Sequence, residues 1–197
     1  MAKVINYYAH PGHRHSHTNK AMWQAATQIP DITHVDLYAE YPRHQIDIDK
    51  EQQRLMDHDV IIMQFPLFWY SSPSLVKEWI DLTLERGFAF GEGGDKLKNK
   101  VFELAVSTAG SQDAYAPDGY QRLPLRAYLV PFEQTAWLTQ MRFLAPYVQH
   151  SALQTNPKDH SDGFSKLITA LRDDRLDLDA TSRAEILTHT TLPIKEA

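Results

Sequence analysis

The chain has 197 residues, of which 43% are hydrophobic and 23% are charged, and its formal net charge is −5. This composition is typical of one globular domain and excludes a disordered or fibrous protein. Without a block of basic residues, we expect no nucleic-acid partner. The lack of cysteine excludes disulfides, thiolate metal sites and iron–sulfur clusters, so any redox chemistry requires a bound cofactor.

The first residues, Met1 to Tyr8, do not show the basic and then apolar pattern of a signal peptide. No apolar run along the chain approaches the length that a membrane-spanning helix requires. We therefore expect the protein to be cytoplasmic.

Five apolar segments bounded by turn residues predict β-strands. The first, third and fourth are nearly continuous apolar runs, which is typical of parallel strands covered by helices on both faces. The second is more polar, so we expect it nearer an edge of the sheet. The segments are Val4–Tyr8, Thr33–Leu37, Val60–Phe65, Val101–Val106 and Arg142–Val148.

Helical periodicity fills the intervals between these strands and follows the last one. The predicted helices are Thr18–Gln28, Asp49–Asp57, Pro73–Arg86, Pro131–Gln140 and Asp159–Arg172. Regular alternation of strand and helix predicts an α/β domain with a doubly wound parallel sheet and helices on both faces. We assign residues 1–173 to this domain. Residues 174–197, with a short helix at Ala180–Leu187, are expected to be an extension that packs on the domain or on a partner.

Ligands of doubly wound sheets bind outside the carboxyl ends of the strands. Three loops should converge there: His10 to Asn19, Pro66 to Pro73 and Ser107 to Tyr115. The first loop has neither a Gly-x-Gly-x-x-Gly pattern nor a Walker ending, so it indicates neither a dinucleotide-binding fold nor a P-loop nucleotidase. These three loops are where we look for the site.

The first loop reads HPGHRHSHTN and leads into a predicted helix. Ser16, Thr18 and Asn19 are helix-capping residue types, and a helix N-terminus with free N–H groups and hydroxyls is suited to phosphate. A plain helix cap in a polar loop is the alternative interpretation. A metal site is another, because three histidines alternate in this loop, namely His13, His15 and His17. One loop lacks the rigid support that metal ligands need, so we predict no metal site.

The other two loops suggest a slot for a flat heterocycle. Leu67 to Tyr70 place aromatic side chains at the ligand edge, although a hydrophobic plug against the next helix is the alternative. Ser107 to Gly110 are small and allow close approach of backbone N–H groups to a ring. A Ser-His-Asp hydrolase using Ser16, Ser71 or Ser107 is a weaker interpretation, because the chain contains no Gly-x-Ser-x-Gly elbow.

Four motifs occur in a specific order and spacing: YAHPGHRHSHTN, LYAEYPRHQIDIDKEQ, QFPLFWYSSPSLVKEWID and RGFAFGEGG. With them the chain resembles the flavodoxin-like NAD(P)H:quinone oxidoreductases from Val4 to about Tyr147. It is most similar to the bacterial branch close to the ancillary subunits of glutathione-gated potassium efflux systems. The resemblance implies a flavodoxin-like, doubly wound, five-stranded parallel sheet of order 2-1-3-4-5.

The resemblance also implies the residues that bind a flavin. The phosphate and ribityl chain would be held by His10, Ser16, His17, Thr18 and Asn19. The isoalloxazine ring would be lined by Pro66, Leu67, Phe68, Trp69 and Tyr70, and closed on the other side by Ser107, Thr108, Ala109 and Gly110. Tyr115 would stabilise charge on the reduced flavin, and we predict it as the catalytic residue. Gln121 stands where the quinone reductases have a histidine.

The implied activity is that of a flavin-dependent NAD(P)H oxidoreductase. A hydride would pass from NAD(P)H through the flavin to a quinone-type acceptor, with two electrons transferred in alternating half-reactions. The short first loop and modest chain length favour FMN over FAD. The acceptor and the choice between NADH and NADPH stay open.

The alternative function is that of a regulatory ancillary subunit that senses flavin or nucleotide state. Such a protein would associate peripherally with a potassium efflux transporter at the inner face of the membrane. The resemblance further implies a homodimer, in which Phe88 and Phe90 would reach across to cover the partner's flavin. Packing of these two side chains in the protein's own core is the alternative.

Overall fold

The computed structural model describes residues 1–12, 14 and 16–195. The strands are β1 (Val4–Tyr8), β2 (Ile32–Asp36), β3 (Val60–Pro66), β4 (Val101–Ser107), β5 (Arg142–Phe143) and β6 (Tyr147–Gln149). The sheet has the order β2-β1-β3-β4-β5, and β6 also pairs with β4. Every strand pairing is parallel. The predicted α/β class and flavodoxin-like strand order are confirmed.

Helices cover both faces of the sheet. They are α1 (Thr18–Ala26), α2 (Leu37–Glu40), α3 (Ile48–Asp57), α4 (Ser74–Thr83), α5 (Val130–Leu138), α6 (Pro157–Arg172) and α7 (Leu178–Arg183). Helices α1 and α6 pack together on one face, and α3, α4 and α5 contribute to the apolar core on the other. Within the described part of the chain, no helix is both long and apolar enough to cross a membrane.

The core on the face covered by α3, α4 and α5 contains Phe88, which is buried, and Phe90 packs against this core. Both side chains therefore contribute to the protein's own core, which was the alternative to a role at a dimer interface. Phe65 is also fully buried, and its ring stacks on Phe132 at 5.4 Å between ring centroids.

The fifth position of the sheet differs from the prediction. One strand was expected over Arg142–Val148, but β5 ends at Phe143 and β6 begins at Tyr147. Pro146 has no N–H to donate to a ladder, and the N–H of Ala145 donates away from the sheet to the Thr181 carbonyl at 3.4 Å. The strand is therefore interrupted where its backbone has no partner on β4.

Local capping explains two further differences. Strand β2 ends at Asp36, whose carboxylate accepts hydrogen bonds from the N–H groups of Tyr38 and Ala39 at 3.1 and 3.2 Å. This capping begins α2 at Leu37, which was predicted to end the strand. In the same way Asp177 caps α7, so that this helix begins at Leu178, two residues before the predicted Ala180.

The predicted helix Ala180–Leu187 is also too long, because Leu187 belongs to the sheet edge. Its N–H donates to the Pro146 carbonyl at 2.9 Å, and its carbonyl accepts from Val148 at 2.8 Å. Other helix ends differ by one to three residues; for example, α4 stops at Thr83 and not at the predicted Arg86. Through these contacts the described part of the C-terminal segment lies along β6.

Candidate functional site

A cavity of about 390 Å³ lies at the carboxyl ends of β1, β3 and β4. It is lined by His10, Gly12, Ser16, His17, Thr18, Asn19, Pro66, Leu67, Phe68, Ser107, Thr108, Ala109, Ala152 and Leu153. The three loops predicted to converge therefore do so. Of the predicted cofactor-binding residues, Trp69, Tyr70 and Gly110 are not part of this lining. A volume of this size is in the range of small-molecule sites.

The first loop ends at α1, which begins beside the cavity. Ser16 is buried, and its Oγ accepts hydrogen bonds from the Lys20 N–H at 3.0 Å and the Tyr8 hydroxyl at 3.3 Å. Ser16 thus accepts a hydrogen bond from an N–H group in the first turn of α1, which is what the helix-cap interpretation predicts. His17 occupies the N-cap position without a side-chain bond to the helix. The first turn of α1 has no acidic residue, so its positive end faces the cavity without a competing anion.

Of the three histidines in the metal-site interpretation, the structure describes only His17. His13 and His15 lie outside the described residues, whereas His17 is exposed at the cavity. Among residues 1–12, 14 and 16–195, no group of three or more histidine or acidic side chains is arranged to hold a metal ion.

A buried polar network supports the cavity from below. Asn6 Nδ2 donates to Gln64 Oε1 at 3.2 Å, and Gln64 Nε2 donates to the backbone oxygen and to Oδ1 of Asn19 at 2.7 and 3.1 Å. Asn19 Nδ2 in turn donates to Ser107 Oγ. The network ties α1 to β1, β3 and β4. Asn6 and Gln64 were not among the predicted site residues, although a polar residue inside an otherwise apolar strand was a visible signal.

The loop after β3 forms a tight turn with an unusual backbone. Phe68 and Ser71 exchange two backbone hydrogen bonds of 2.9 and 3.1 Å, and the central residues Trp69 and Tyr70 have φ angles of 48° and 65°. A left-handed conformation at a bulky residue costs about 1–3 kcal/mol and is concentrated at functional sites. The turn directs Trp69 into solvent, with 93% of its surface exposed. Contact of these two residues with a bound ring stays a prediction.

The far wall of the cavity is built from two loops joined by backbone hydrogen bonds. Thr108 N–H donates to the Gln149 carbonyl at 2.8 Å, and the Thr108 carbonyl accepts from Ala152 at 2.8 Å. Ser151 N–H donates to the Gly110 carbonyl at 2.9 Å. Thr18 Oγ1 then donates to the Ala152 carbonyl at 2.6 Å, which joins α1 to the same wall.

Ala152 and Leu153 line the cavity although they were not among the predicted site residues. They belong to the loop after β6, which reaches the same edge of the sheet as the three loops considered. The general rule that ligands bind at the carboxyl ends of parallel strands was the available signal.

Tyr115 lies behind the cavity wall and not in its lining. It ends a short 3-10 helix, Asp113–Tyr115, and is buried, with its ring against Tyr128 at 6.2 Å and His150 at 5.7 Å between centroids. Burial raises the pKa of the Tyr115 phenol. A Cβ added at Gly110 would lie 3.1 Å from its ring, so this glycine allows the close approach of the loop.

The geometry can be compared with known proteins. The chain matches a family described as having a flavodoxin-like fold over residues 2–173. It is 46% identical over 147 residues to the glutathione-regulated potassium-efflux system ancillary protein KefG of Cronobacter sakazakii, covering 75% of this chain and 80% of that relative. It is 43% identical over 155 residues to KefG of Pectobacterium carotovorum, covering 79% of this chain and 85% of that relative.

Solved structures give the same relationship. The general stress protein 14 of Treponema denticola, in complex with FMN, aligns with a TM-score of 0.80 and 31% identity over 87% of this chain and 98% of that chain. An NADPH-quinone reductase from P. pentosaceus aligns with a TM-score of 0.76 and 26% identity over 86% of this chain and 97% of that chain. The chain belongs to the flavodoxin-like family that includes NAD(P)H:quinone oxidoreductases, in the branch close to the KefG ancillary proteins.

Proposed function

We propose that the protein is a flavin-dependent NAD(P)H oxidoreductase that transfers two electrons from NAD(P)H to a quinone-type acceptor, with FMN as its cofactor. The observation that carries this proposal is the cavity, which combines a helix N-terminus and hydroxyl groups at one end with apolar and small residues at the other. The FMN complex of the Treponema denticola protein, 31% identical to this chain, supports FMN as the flavin.

The phosphate end of FMN fits the residues around the start of α1. The positive end of that helix, with no carboxylate in its first turn, favours a dianion. His10, Ser16, His17, Thr18 and Asn19 all line this part of the cavity, as proposed from the family resemblance. The Thr18 hydroxyl already donates its proton to the Ala152 carbonyl, whereas Ser16 Oγ, within the described part of the chain, only accepts hydrogen bonds and keeps its own proton to donate. We therefore assign the contacts with phosphate chiefly to backbone N–H groups, His17 and the Ser16 hydroxyl.

The ring end fits a flat heterocycle. Pro66, Leu67 and Phe68 form one wall, and Ala109 is a small residue on the other. When bound, FMN supplies the capacity to accept and return a hydride. The protein would hold first the nicotinamide ring and then the acceptor against the flavin ring, and would exclude water from between the two rings. Burial raises the pKa of the Tyr115 phenol and keeps it protonated. Because Tyr115 lies behind the cavity wall, its role as the donor of a hydrogen bond to developing negative charge on the flavin stays a prediction from the family resemblance.

A second function is favoured by the curated relatives. They are ancillary proteins of potassium-efflux systems at 41–46% identity. We propose that this protein also associates peripherally with such a transporter at the cytoplasmic face of the membrane, as a homodimer. Helix α5 offers an exposed apolar surface, since Val130, Trp137 and Leu138 are 53%, 73% and 51% exposed.

The purified protein tests the first function directly. We expect the full chain, purified without added cofactor or reconstituted with FMN, to be yellow, and the mass of the released cofactor to be that of FMN. NADH or NADPH should bleach the flavin absorbance, and a quinone should restore it. A colourless protein that does not take up FMN contradicts the proposal.

The second function has a separate test. Co-purification of a potassium efflux transporter with the tagged protein from a detergent-solubilised membrane supports it. If the protein reduces quinones but recovers no transporter, and membrane fractions contain none of it, the ancillary role is contradicted while the enzymatic one stands.

A further inference from the structure

His150 is a buried residue that neither the sequence patterns nor the proposed chemistry uses. It follows β6 directly and is 9% exposed, with its ring packed against Tyr115. Its Nδ1 lies 3.3 Å from Oγ1 of Thr108, a residue of the cavity lining. The same Thr108 hydroxyl donates to the Gly110 carbonyl at 2.9 Å. His150 is thus one side chain removed from the cavity.

The other ring nitrogen of His150 is not used. Its Nε2 is buried and has no hydrogen-bond partner among the residues that the structure describes. A buried polar atom without a partner costs free energy, and an aromatic hydrocarbon would fill the same space without that cost. The unpaired Nε2 is explained if the hydrogen bond of Nδ1 has a role that a hydrocarbon side chain could not fill.

The hydrogen-bond partners of His150 indicate which of its ring nitrogens is the donor. Burial lowers the pKa of its imidazole, and a hydrogen bond with the Gly110 backbone opposes this to a smaller extent. The ring is therefore neutral at neutral pH. The Gly110 carbonyl can only accept, and the Thr108 hydroxyl already donates its proton to that carbonyl, so we assign the single imidazole proton to Nδ1. The titratable groups that face it are Tyr115 and, from α6, His160, on which His189 and Asp159 also act.

We propose that His150 is a positioning residue of the cofactor cavity: through its Nδ1 proton and the face of its ring, it fixes the Thr108 hydroxyl and the Tyr115 phenol in the wall. This inference rests on the proposed function, because it concerns the wall against which FMN would lie. Without the Nδ1 donor, the Thr108 hydroxyl loses one of its hydrogen-bond neighbours, and the loop at Gly110 loses a contact with the loop after β6.

A double-mutant cycle in FMN affinity tests the connection between the two side chains. His150→Phe keeps the aromatic ring but removes the donor, and Thr108→Val keeps the shape but removes the hydroxyl. We expect each change to weaken FMN binding by about tenfold. The double variant should also lose about tenfold, because both changes remove the same contact. Losses that multiply to about a hundredfold contradict the proposal.

Two further variants separate positioning from packing. His150→Asn places an amide N–H as many bonds from Cβ as Nδ1, and we expect it to restore most of the affinity that His150→Phe loses. His160→Phe is the matched control, since this buried histidine of α6 does not contact Thr108, and it should bind FMN as the wild type does. The proposal is contradicted if His150→Asn does not restore FMN affinity and His160→Phe loses as much affinity as His150→Phe.

A spectroscopic measurement on the wild-type protein does not depend on the folding of any variant. Two-bond proton–nitrogen correlation spectra of the ligand-free full chain should show His150 as the neutral Nδ1–H tautomer at pH 7. A neutral Nε2–H tautomer overturns the inference even if FMN binds. If the wild type takes up no FMN, the proposed function fails and this inference fails with it; if FMN binds and is reduced but the cycle is multiplicative, the inference alone fails.

Discussion

Glu103 accepts a hydrogen bond on Oε1 from the backbone N–H of Tyr147 at 3.0 Å, across the interruption between β5 and β6. The Glu103 carboxyl group thereby accepts the Tyr147 N–H, which in a continuous strand would donate to a backbone carbonyl group of β4. Glu103 is fully buried, and its second oxygen has no partner within the described residues. Burial raises the pKa of this carboxyl group well above its ordinary value of 4.5.

This environment predicts how stability depends on pH. In the folded protein Glu103 keeps its proton above pH 4.5, whereas in the unfolded chain it ionises there. Its contribution to the free energy of unfolding is complete below pH 4.5 and declines as pH rises toward the folded pKa, by about 1.4 kcal/mol for each pH unit. Glu103→Gln keeps an oxygen acceptor and removes the ionisation, so its stability relative to wild type should increase from pH 5 to pH 7.

Urea unfolding at several pH values measures this difference. The exposed Glu92→Gln serves as the control, because it makes the same chemical change at a carboxyl group on the surface. A difference between Glu103→Gln and wild type that is constant across this pH range contradicts the assignment of a neutral buried carboxyl group.

Asn19 is the central member of the polar network beneath the cavity. Asn19→Ala leaves Gln64 Nε2 without its side-chain acceptor and removes the donor to Ser107. We expect a loss of about 1–3 kcal/mol in the free energy of unfolding, together with weaker FMN binding. Gln24→Ala, at an exposed position of the same helix, should change neither quantity. Denaturant midpoints and FMN titrations of Asn19→Ala and Gln24→Ala measure both quantities. Equal stability of the two variants would refute the role of the network.

Much of the architecture follows from local patterns, and the exceptions depend on distant residues. Continuous apolar runs predicted β1, β3 and β4 because each is buried on both faces. The break between β5 and β6 was not predictable from its own apolar pattern, since it depends on Pro146 together with the remote Glu103 side chain. Asp36 and Asp177 carry readable capping signals, and their neglect caused the errors at β2 and α7.

The site divides in the same way. Residue types in the three loops identified most of the cavity lining, because the fold brings those loops to one edge. The orientation of Trp69 was not predictable, since no glycine or asparagine announced two left-handed residues in succession. Nothing in the sequence near Tyr115 indicated that its ring would pack against His150, 35 residues further along the chain.

Trp69 can be tested without disturbing the fold. Because it is 93% exposed, Trp69→Ala should change the free energy of unfolding by no more than about 0.5 kcal/mol. If its side chain covers the bound isoalloxazine ring, retention of FMN during gel filtration should fall. Trp137→Ala, 73% exposed on α5, is the matched control and should retain FMN as the wild type does. A lower melting temperature with unchanged retention would instead assign Trp69 to packing.

Gly163 of α6 lies directly against His189 of the C-terminal segment. A Cβ added there would lie 2.4 Å from Cβ of His189 and 2.6 Å from the Tyr147 hydroxyl. Gly163→Ala should therefore displace the segment and destabilise the protein by about 1–3 kcal/mol, despite the better helix propensity of alanine. Limited proteolysis should then cut within residues 174–195 before the domain, whereas Ser165→Ala should be as resistant as wild type. Equal cleavage of both variants would contradict this.

The backbone hydrogen bonds between the loop at Thr108 and Gly110 and the loop at Ser151 and Ala152 have a consequence for the kinetics of ligand capture. That wall is already ordered before a ligand arrives, so little conformational entropy is lost there on association. The turn at Trp69 and Tyr70, which directly follows the opposite wall at Pro66 to Phe68, has two left-handed residues and holds backbone strain that a ligand can relieve. Association should therefore be governed by rearrangement on one side only, and slow steps in cofactor uptake should respond to changes in that turn and not to changes in the joined loops.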